Sequence, residues 1–187
     1  MPGDVTGLFC HKERHQARHF LRRPGAVVTL DGDGQHCPED IPLLLEAWRA
    51  ASRSIVIGSR LHAREAIPMA RYRANRIANF WISWAAGQAI ADTQSGFRVY
   101  PAALVAQPPV PCGVAASFVF ESEILIEAAR SGLQVVCVPI NAMYWAHGRA
   151  SHFRPVLDIA RIVRMVAWRL ITRGLYLQGL LRSLRSR

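Results

Sequence analysis

Residues 26–36 read Ala-Val-Val-Thr-Leu-Asp-Gly-Asp-Gly-Gln-His, and no other stretch restricts the fold so strongly. Ala26-Val27-Val28-Thr29-Leu30 is short, apolar and β-branched, which suits a buried strand. It stops at Asp31-Gly32-Asp33-Gly34, a turn-forming cluster. Pro38-Glu39-Asp40 then opens a helix through about Ala51, with its acidic residues in the first turn, where the helix dipole favours them. Ile55-Val56-Ile57 is a second short strand, ended by Gly58. The order strand, turn, helix, strand is a βαβ unit and predicts a parallel sheet.

The rest of the chain continues the alternation. Pro68 to Ala86 has a helical pattern with Ile77, Phe80, Trp81 and Trp84 as an apolar stripe, read first as core packing, and Gly87 ends it. Phe97-Arg98-Val99-Tyr100 reads as a strand, Pro108-Pro109-Val110-Pro111 as a loop, Glu121 to Ala129 as a helix, and Gln134 to Ile140 as a strand. Ser151 to Arg154 is a polar, basic loop before a final helix at roughly 155–173. In that helix Ile159, Val163, Val166 and Leu170 form one stripe, with Arg161, Arg164, Arg169, Arg173 and Trp168 on the remaining arc. This pattern describes a helix lying in a membrane interface. The competing reading docks the same stripe on its own domain or in a homodimer.

Composition narrows the class. At 187 residues, 51% hydrophobic and 19% charged, the chain has enough apolar surface for one compact domain and is not disordered. No run approaches about 18 apolar residues, so no conventional membrane-spanning helix is predicted. His11 to Arg23 lacks the apolar core of a secretory signal. Cys10, Cys37, Cys112 and Cys137 show no paired spacing, and a cytoplasmic setting is the simplest expectation. The net charge of +10 lies at the two ends, since residues 27–153 carry ten Arg against ten acidic groups. A neutral body with a basic tail points to an anionic surface, membrane or nucleic acid; an Arg-rich genome explains it equally well. No platform of interleaved basic and aromatic residues supports nucleic acid. Residues 1–26 form an atypical basic leader in which His11, His15 and His19 stand at helical spacing; a frayed leader is favoured there over a metal site.

The chemistry concentrates at the D-G-D-G run. Two carboxylates at i and i+2 leave a strand end on the same side, where they can share a hard divalent cation that also grips phosphate oxygens. Mg²⁺ is usually held by one or two protein carboxylates plus substrate phosphates, which suits a nucleoside diphosphate. Haloacid-dehalogenase-like phosphatases also place D-x-D-G after an apolar strand. They need a downstream basic residue, normally Lys, and a later acidic pair; this chain has no Lys after position 12 and no Asp-Asp pair.

Further segments sharpen the first reading. Asp31-Gly32-Asp33-Gly34-Gln35-His36 with Pro38-Glu39-Asp40-Ile41-Pro42, then Ile57-Gly58-Ser59-Arg60, then Asp92-Thr93-Gln94-Ser95-Gly96-Phe97-Arg98, then Val138-Pro139-Ile140, together resemble family 2 glycosyltransferases. The likeness is greatest to the dolichyl-phosphate mannosyltransferase-like branch, which moves sugars from nucleoside diphosphates to polyprenyl phosphates, and it spans roughly 26–165. The resemblance implies a GT-A, Rossmann-like α/β fold. It also implies an inverting displacement dependent on Mg²⁺ or Mn²⁺. Asp31 and Asp33 would hold the metal and donor diphosphate, with Gln35 as an auxiliary contact. Asp92 would stand near the sugar and acceptor, and Arg98 would face phosphate, for which its forked donors are suited. An ion pair of Arg98 with Asp92 or Glu121 is the structural alternative. Arg149, Ser151, His152 and Arg154 resemble the mobile loop that binds the acceptor phosphate. The expected location is peripheral, on the cytoplasmic face of a membrane, and homo-oligomerisation stays open.

The family opens with two strands carrying Pro-x-Tyr-Asn-Glu-like and Asp-Asp-x-Ser motifs, and residues 1–26 hold neither. The expected organisation is therefore a basic leader at 1–26, a partial GT-A domain at 27–153, and a basic amphipathic helix and tail at 154–187. On this view the first core strand would expose an unpaired edge. The alternative function is a non-catalytic membrane-surface or interaction protein retaining the fold.

Overall fold

The computed structural model describes residues 18–23, 25–31, 36–51, 53–61, 67, 69–106, 117–141, 155–172 and 174–185. Its strands are β1 (Arg18–Arg23), β2 (Ala26–Asp31), β3 (Ser54–Ser59), β4 (Arg98–Pro101) and β5 (Gln134–Pro139). Its helices are α1 (Ile41–Ala50), α2 (Met69–Ala86), α3 (Ala102–Ala106), α4 (Ser117–Arg130), α5 (Pro155–Thr172) and α6 (Leu177–Arg185), with single 3₁₀ turns at Pro38–Asp40 and Gly174–Tyr176.

The strands form one mixed sheet in the order β1-β2-β4-β3-β5. The α/β class expected from the alternation is present, but the all-parallel sheet is not. β2 and β3 do run the same way around α1, yet β4 lies between them and is antiparallel to both. Only β3 and β5 pair in parallel. A local strand–helix–strand pattern fixes strand direction, whereas pairing order depends on where the four-residue β4, with an arginine as its first residue, inserts.

The leader also differs from expectation. Residues 18–23 form β1, which pairs antiparallel with β2 from Arg18 opposite Asp31 to Arg23 opposite Ala26. The β2 edge is thus covered rather than bare, so its N–H and C=O groups find partners. His19 lies in this strand, opposite Leu30, so a helical His11/His15/His19 face is not formed; His11 and His15 lie outside the described residues.

β3 explains why the sheet needs two apolar faces. Ile55 and Ile57 point into one cluster with α2, α4 and α5, while Val56 points into the other with Leu44 and Leu45 of α1. This is the period-2 alternation of a strand buried on both sides. Gly58 is required at its end. A Cβ there would lie 2.8 Å from Cδ1 of Ile140 and 3.3 Å from Cδ1 of Phe97.

Two helix faces are corrected. On α2 the buried face is Asn75, Ala78, Asn79, Ile82, Ser83, Ala85 and Ala86, while Ile77 is 49% exposed and Phe80, Trp81 and Trp84 are half-buried. The buried face is therefore mostly small and polar side chains around Ile82, which lets α2 lie close to its neighbours, while Trp81 and Trp84 pack against the same core from its edge. On α5, Ile159, Val166 and Leu170 are buried and Val163 is half-buried against the same cluster. The stripe read as interfacial is thus docked on the domain, and Arg169 forms ion pairs with Glu123 (3.0 Å) and Glu127 of α4. Among the described residues, no helix is long and apolar enough to cross a membrane.

Candidate functional site

The C-terminal ends of β2 and β3 and the N-terminal end of β4 share one rim of the sheet, and the registers meet at Gly96. Thr29 pairs with Arg98, so continuing that ladder by two residues sets Asp31 opposite Gly96; Ile57 also pairs with Arg98, which sets Ser59 opposite Gly96 on the other side. Backbone and side chain lock this junction: Gly58 N–H donates to the Phe97 carbonyl (2.9 Å), and the Thr29 hydroxyl donates to the Gly96 carbonyl (2.8 Å).

Asp31 lies directly over Gly96. A Cβ built at position 96 would come within 2.2 Å of Asp31 Oδ2 and 2.4 Å of its Cγ and Oδ1. The missing side chain of Gly96 is therefore the space that the Asp31 carboxylate occupies. That carboxylate is 24% exposed at the rim, and His36 Nε2 stands 3.8 Å from its Oδ2. The His36 ring is buried and tilted against Phe97, with centroids 5.4 Å apart. Beside it, the Cys37 thiol donates to Glu39 (2.9 Å), which raises the thiol pKa and lowers that of the carboxyl.

Asp92 is built into the junction between β3 and the loop before β4. Its side chain is fully buried, and it accepts backbone N–H bonds from Arg60 (3.1 Å) at Oδ2 and from Gln94 (3.3 Å) at Oδ1. Arg60 adds an ion pair at 3.8 Å and reaches the Gln94 carbonyl. Asp92 thus ties the end of β3 to the loop before β4.

Arg98 is also buried in this loop. It is the largest fully buried side chain among the described residues. Nε donates to the Ser95 carbonyl (2.7 Å), Nη2 to the Thr93 carbonyl (2.8 Å), and Nη1 to the Tyr100 hydroxyl (3.0 Å) and the Glu121 carbonyl (3.4 Å). The Glu121 carboxylate lies 3.6 Å from Nη2 and adds an ion pair to these hydrogen bonds. Burial works against its charge, but Tyr100, Glu121 and Asp31 outweigh burial and raise its pKa further. The alternative pairing with Glu121 is the one formed, and the fork is turned inward on the loop instead of outward to a phosphate.

α2 completes the support. Asn79 accepts from the Thr93 N–H (2.9 Å) and hydroxyl (2.6 Å) and donates to the Ala91 carbonyl, while the Ser83 hydroxyl accepts from the Ile90 N–H (3.0 Å). Asn79 and Ser83 are four residues apart, so both face the loop. The reading of the sequence gave no role to Gly96, His36 or Asn79, while it did name Glu121 as a partner for Arg98. The glycine inside D-T-Q-S-G-F-R and the polar 79/83 spacing were the available signals. Asp33, Gln35, Arg149, Ser151, His152 and Arg154 lie outside the described residues. No group of three or more His, Cys, Asp or Glu suited to a metal occurs among those described. Among the described residues the donor set is thus one partly exposed, hard carboxylate at the rim, which fits a cation held mainly by substrate phosphates.

Comparison with known proteins agrees with the motif order. The chain is 28% identical over 160 residues to undecaprenyl-phosphate mannosyltransferase of Micrococcus luteus, covering 79% of this chain and 60% of that protein. It is 30% identical over 125 residues to polyprenol monophosphomannose synthase of Mycolicibacterium smegmatis, covering 65% and 47%. It is 29% identical over 127 residues to UDP-N-acetylglucosamine–dolichyl-phosphate N-acetylglucosaminyltransferase of Methanococcus voltae, covering 66% and 50%. The chain spans about half to three-fifths of the length of these curated relatives. No family model and no solved structure matches it. The chain is similar to these sugar transferases named for undecaprenyl, polyprenol and dolichyl phosphate, which, taken with the four ordered motifs, is consistent with the polyprenyl-phosphate branch of glycosyltransferase family 2.

Proposed function

We propose that the protein takes part in sugar transfer from a nucleoside-diphosphate donor to a polyprenyl-phosphate acceptor, by an inverting displacement that needs Mg²⁺ or Mn²⁺, at a GT-A-type site. The observation that carries this reading is the seating of the Asp31 carboxylate on Gly96, which joins the D-G-D-G and D-T-Q-S-G-F-R segments at one sheet rim. Asp31 and Asp33 are the proposed metal and diphosphate ligands, with Gln35 beside them; when bound, the cation would offset negative charge on the departing diphosphate.

The chain's own residues have distinct tasks in this reading. Asp31 supplies an open carboxylate at the rim. Asp92 and Arg98 act as positioning residues, because one holds the Ser59-Arg60 turn and the other holds the carbonyls of Thr93 and Ser95. Arg149, Ser151, His152 and Arg154 are proposed to receive the acceptor phosphate. A phosphate monoester is largely ionised near neutral pH, so the reaction asks for positioning rather than a strong base.

The test is donor binding by calorimetry, using UDP-N-acetylglucosamine and a nucleoside-diphosphate mannose, with and without Mn²⁺. Binding should require the metal, and Asp31→Asn should weaken it at least tenfold while leaving the melting temperature nearly unchanged. Metal-independent binding, or equal affinity in the variant, would remove Asp31 from the site.

A further inference from the structure

Gln94 stands on the rim loop with its side-chain amide held one way round. The chain of bonds that holds it starts on α2, where backbone groups of single polarity fix each direction. The Ala91 carbonyl can only accept, so the Asn79 atom that meets it is Nδ2. The Thr93 N–H can only donate, so the Asn79 atom 2.9 Å from it is Oδ1. The Thr93 hydroxyl lies 2.6 Å from that same oxygen and donates to it as well. Its own oxygen is left as an acceptor, and the Gln94 group 3.0 Å away is therefore the NH₂. Oε1, the other end of the amide, is turned away from that bond.

The backbone of Gln94 is pinned too. Its N–H donates to Asp92 Oδ1 (3.3 Å), and its carbonyl accepts from Arg60 Nη2 (3.4 Å). Asn79 and Thr93 are buried whereas Gln94 is half-buried, so the bonded chain runs outward from α2 and ends at the surface. No described residue donates to Gln94 Oε1. Two residues further along is Gly96, the seat of the Asp31 carboxylate. Near its outward carboxylate the rim thus carries a neutral acceptor whose direction is set before any ligand arrives.

We propose that Gln94 Oε1 is a specificity-determining acceptor, taking a hydrogen bond from a hydroxyl or acylamino N–H on the sugar of a nucleoside-diphosphate sugar. The assignment rests on the transferase reading of the Asp31 site. An amide oxygen has no proton to give, so it cannot serve the phosphates, which are acceptors as well. On the sugar, the carbon next to the phosphorylated one already bears a hydroxyl or acylamino group. On the ribose, the hydroxyls lie across the ring from the phosphorylated 5′ carbon. The donors closest to a cation-held diphosphate are therefore those of the sugar. Thr93 is the positioning residue behind this acceptor, because its hydroxyl fixes which end of the amide faces the ligand.

Calorimetry with Mn²⁺ tests this by comparing UDP-N-acetylglucosamine with UDP, and GDP-mannose with GDP. Gln94→Met keeps the length of the side chain and removes the acceptor. Loss of one neutral hydrogen bond should weaken whichever nucleotide sugar the wild type binds by roughly three- to tenfold, and leave the matching nucleoside diphosphate unchanged. Thr93→Val keeps the backbone bond to Asn79 but frees the amide to turn over. It should lower nucleotide-sugar affinity in the same direction, again without touching the diphosphate. In the double variant the effect of Thr93→Val should disappear, because no amide is left to orient. Gln94→Ala replaces Gln94→Met if that variant does not fold, with the same expectations. Unchanged nucleotide-sugar affinity in Gln94→Met would overturn the assignment and leave the Asp31 site standing. An equal loss for the nucleoside diphosphate would also overturn it, by placing Oε1 on the cation or the nucleoside. If the wild type shows no metal-dependent binding of any of these compounds, the transferase reading falls and takes this assignment with it.

Discussion

Gly96→Ala is the sharpest probe of the rim. Position 96 has no left-handed φ, so alanine is allowed by the backbone and the whole effect is steric. The new Cβ would meet Asp31 at 2.2–2.4 Å, whereas ordinary contact begins near 3.4 Å. One of the two must move by about 1 Å. The backbone at 96 is held by the Thr29 hydroxyl and by β3, so the carboxylate is the part that yields. Forcing an extra methyl into a filled site costs about 1–3 kcal/mol. For a chain of this size that lowers Tm by roughly 2–10 °C. A 1 Å displacement of a positioning group reduces turnover by about a hundredfold, and metal-dependent donor binding should fall with it.

The decisive measurement is a double-mutant cycle with Asp31→Ala, read by thermal denaturation and by calorimetric donor binding with Mn²⁺. If Gly96→Ala acts through the Asp31 carboxylate, its stability cost should largely vanish once that carboxylate is gone, leaving a coupling of about 1 kcal/mol or more. Equal cost in both backgrounds would mean that the methyl collides with something else. Full donor binding by Gly96→Ala would mean that the seating of Asp31 on Gly96 has no part in the site.

Two further substitutions test the support behind the rim. Arg98→Ala leaves the Glu121 carboxylate and the Thr93 and Ser95 carbonyls buried without their donor, so urea denaturation should show a loss of about 3–5 kcal/mol; Arg98→Lys should recover only part of it, because an ammonium cannot reproduce the fork. A loss below 1 kcal/mol for Arg98→Ala would contradict the inward placement. Asn79→Ala removes the acceptor for two Thr93 donors and should cost about 1–3 kcal/mol, with faster amide exchange at Thr93; unchanged exchange there would show that α2 does not hold the loop.

How much of this was legible in the sequence follows from what each pattern encodes. β2, β3 and α1 were read closely because continuous β-branched runs and a Pro-led helix start are local signals, although Glu39 and Asp40 lie in a 3₁₀ turn ahead of α1 rather than in its first turn. Gly87 was read as a stop, and it does end α2 with a left-handed φ of 75° and its N–H on the Ser83 carbonyl. Pairing was not legible, since the insertion of β4 between β2 and β3 is a long-range choice. The aromatic stripe of α2 was legible only in part: Trp81 and Trp84 do pack against the core, but the fully buried side needed Ala78, Ala85 and Ala86 for close approach, and polar Asn79 and Ser83 to bind loop backbone. α5 misled because an apolar stripe flanked by arginines looks the same on a lipid surface as on a domain whose α4 supplies Glu123 and Glu127.

The site shows the same division. The motif segments were visible, and the resemblance supplied roles for Asp92 and Arg98, but not the backbone groups that each of them holds. Asp92 and Arg98 are charged yet spend their hydrogen bonds on the backbone of Arg60, Gln94, Thr93 and Ser95. Fixing a rim loop that has no regular secondary structure requires donors and acceptors of that strength, because a segment without a ladder must satisfy its buried peptide groups through side chains. The acidic group left to face outward is Asp31, and Gly96, a residue with no side chain at all, is what gives it room to do so.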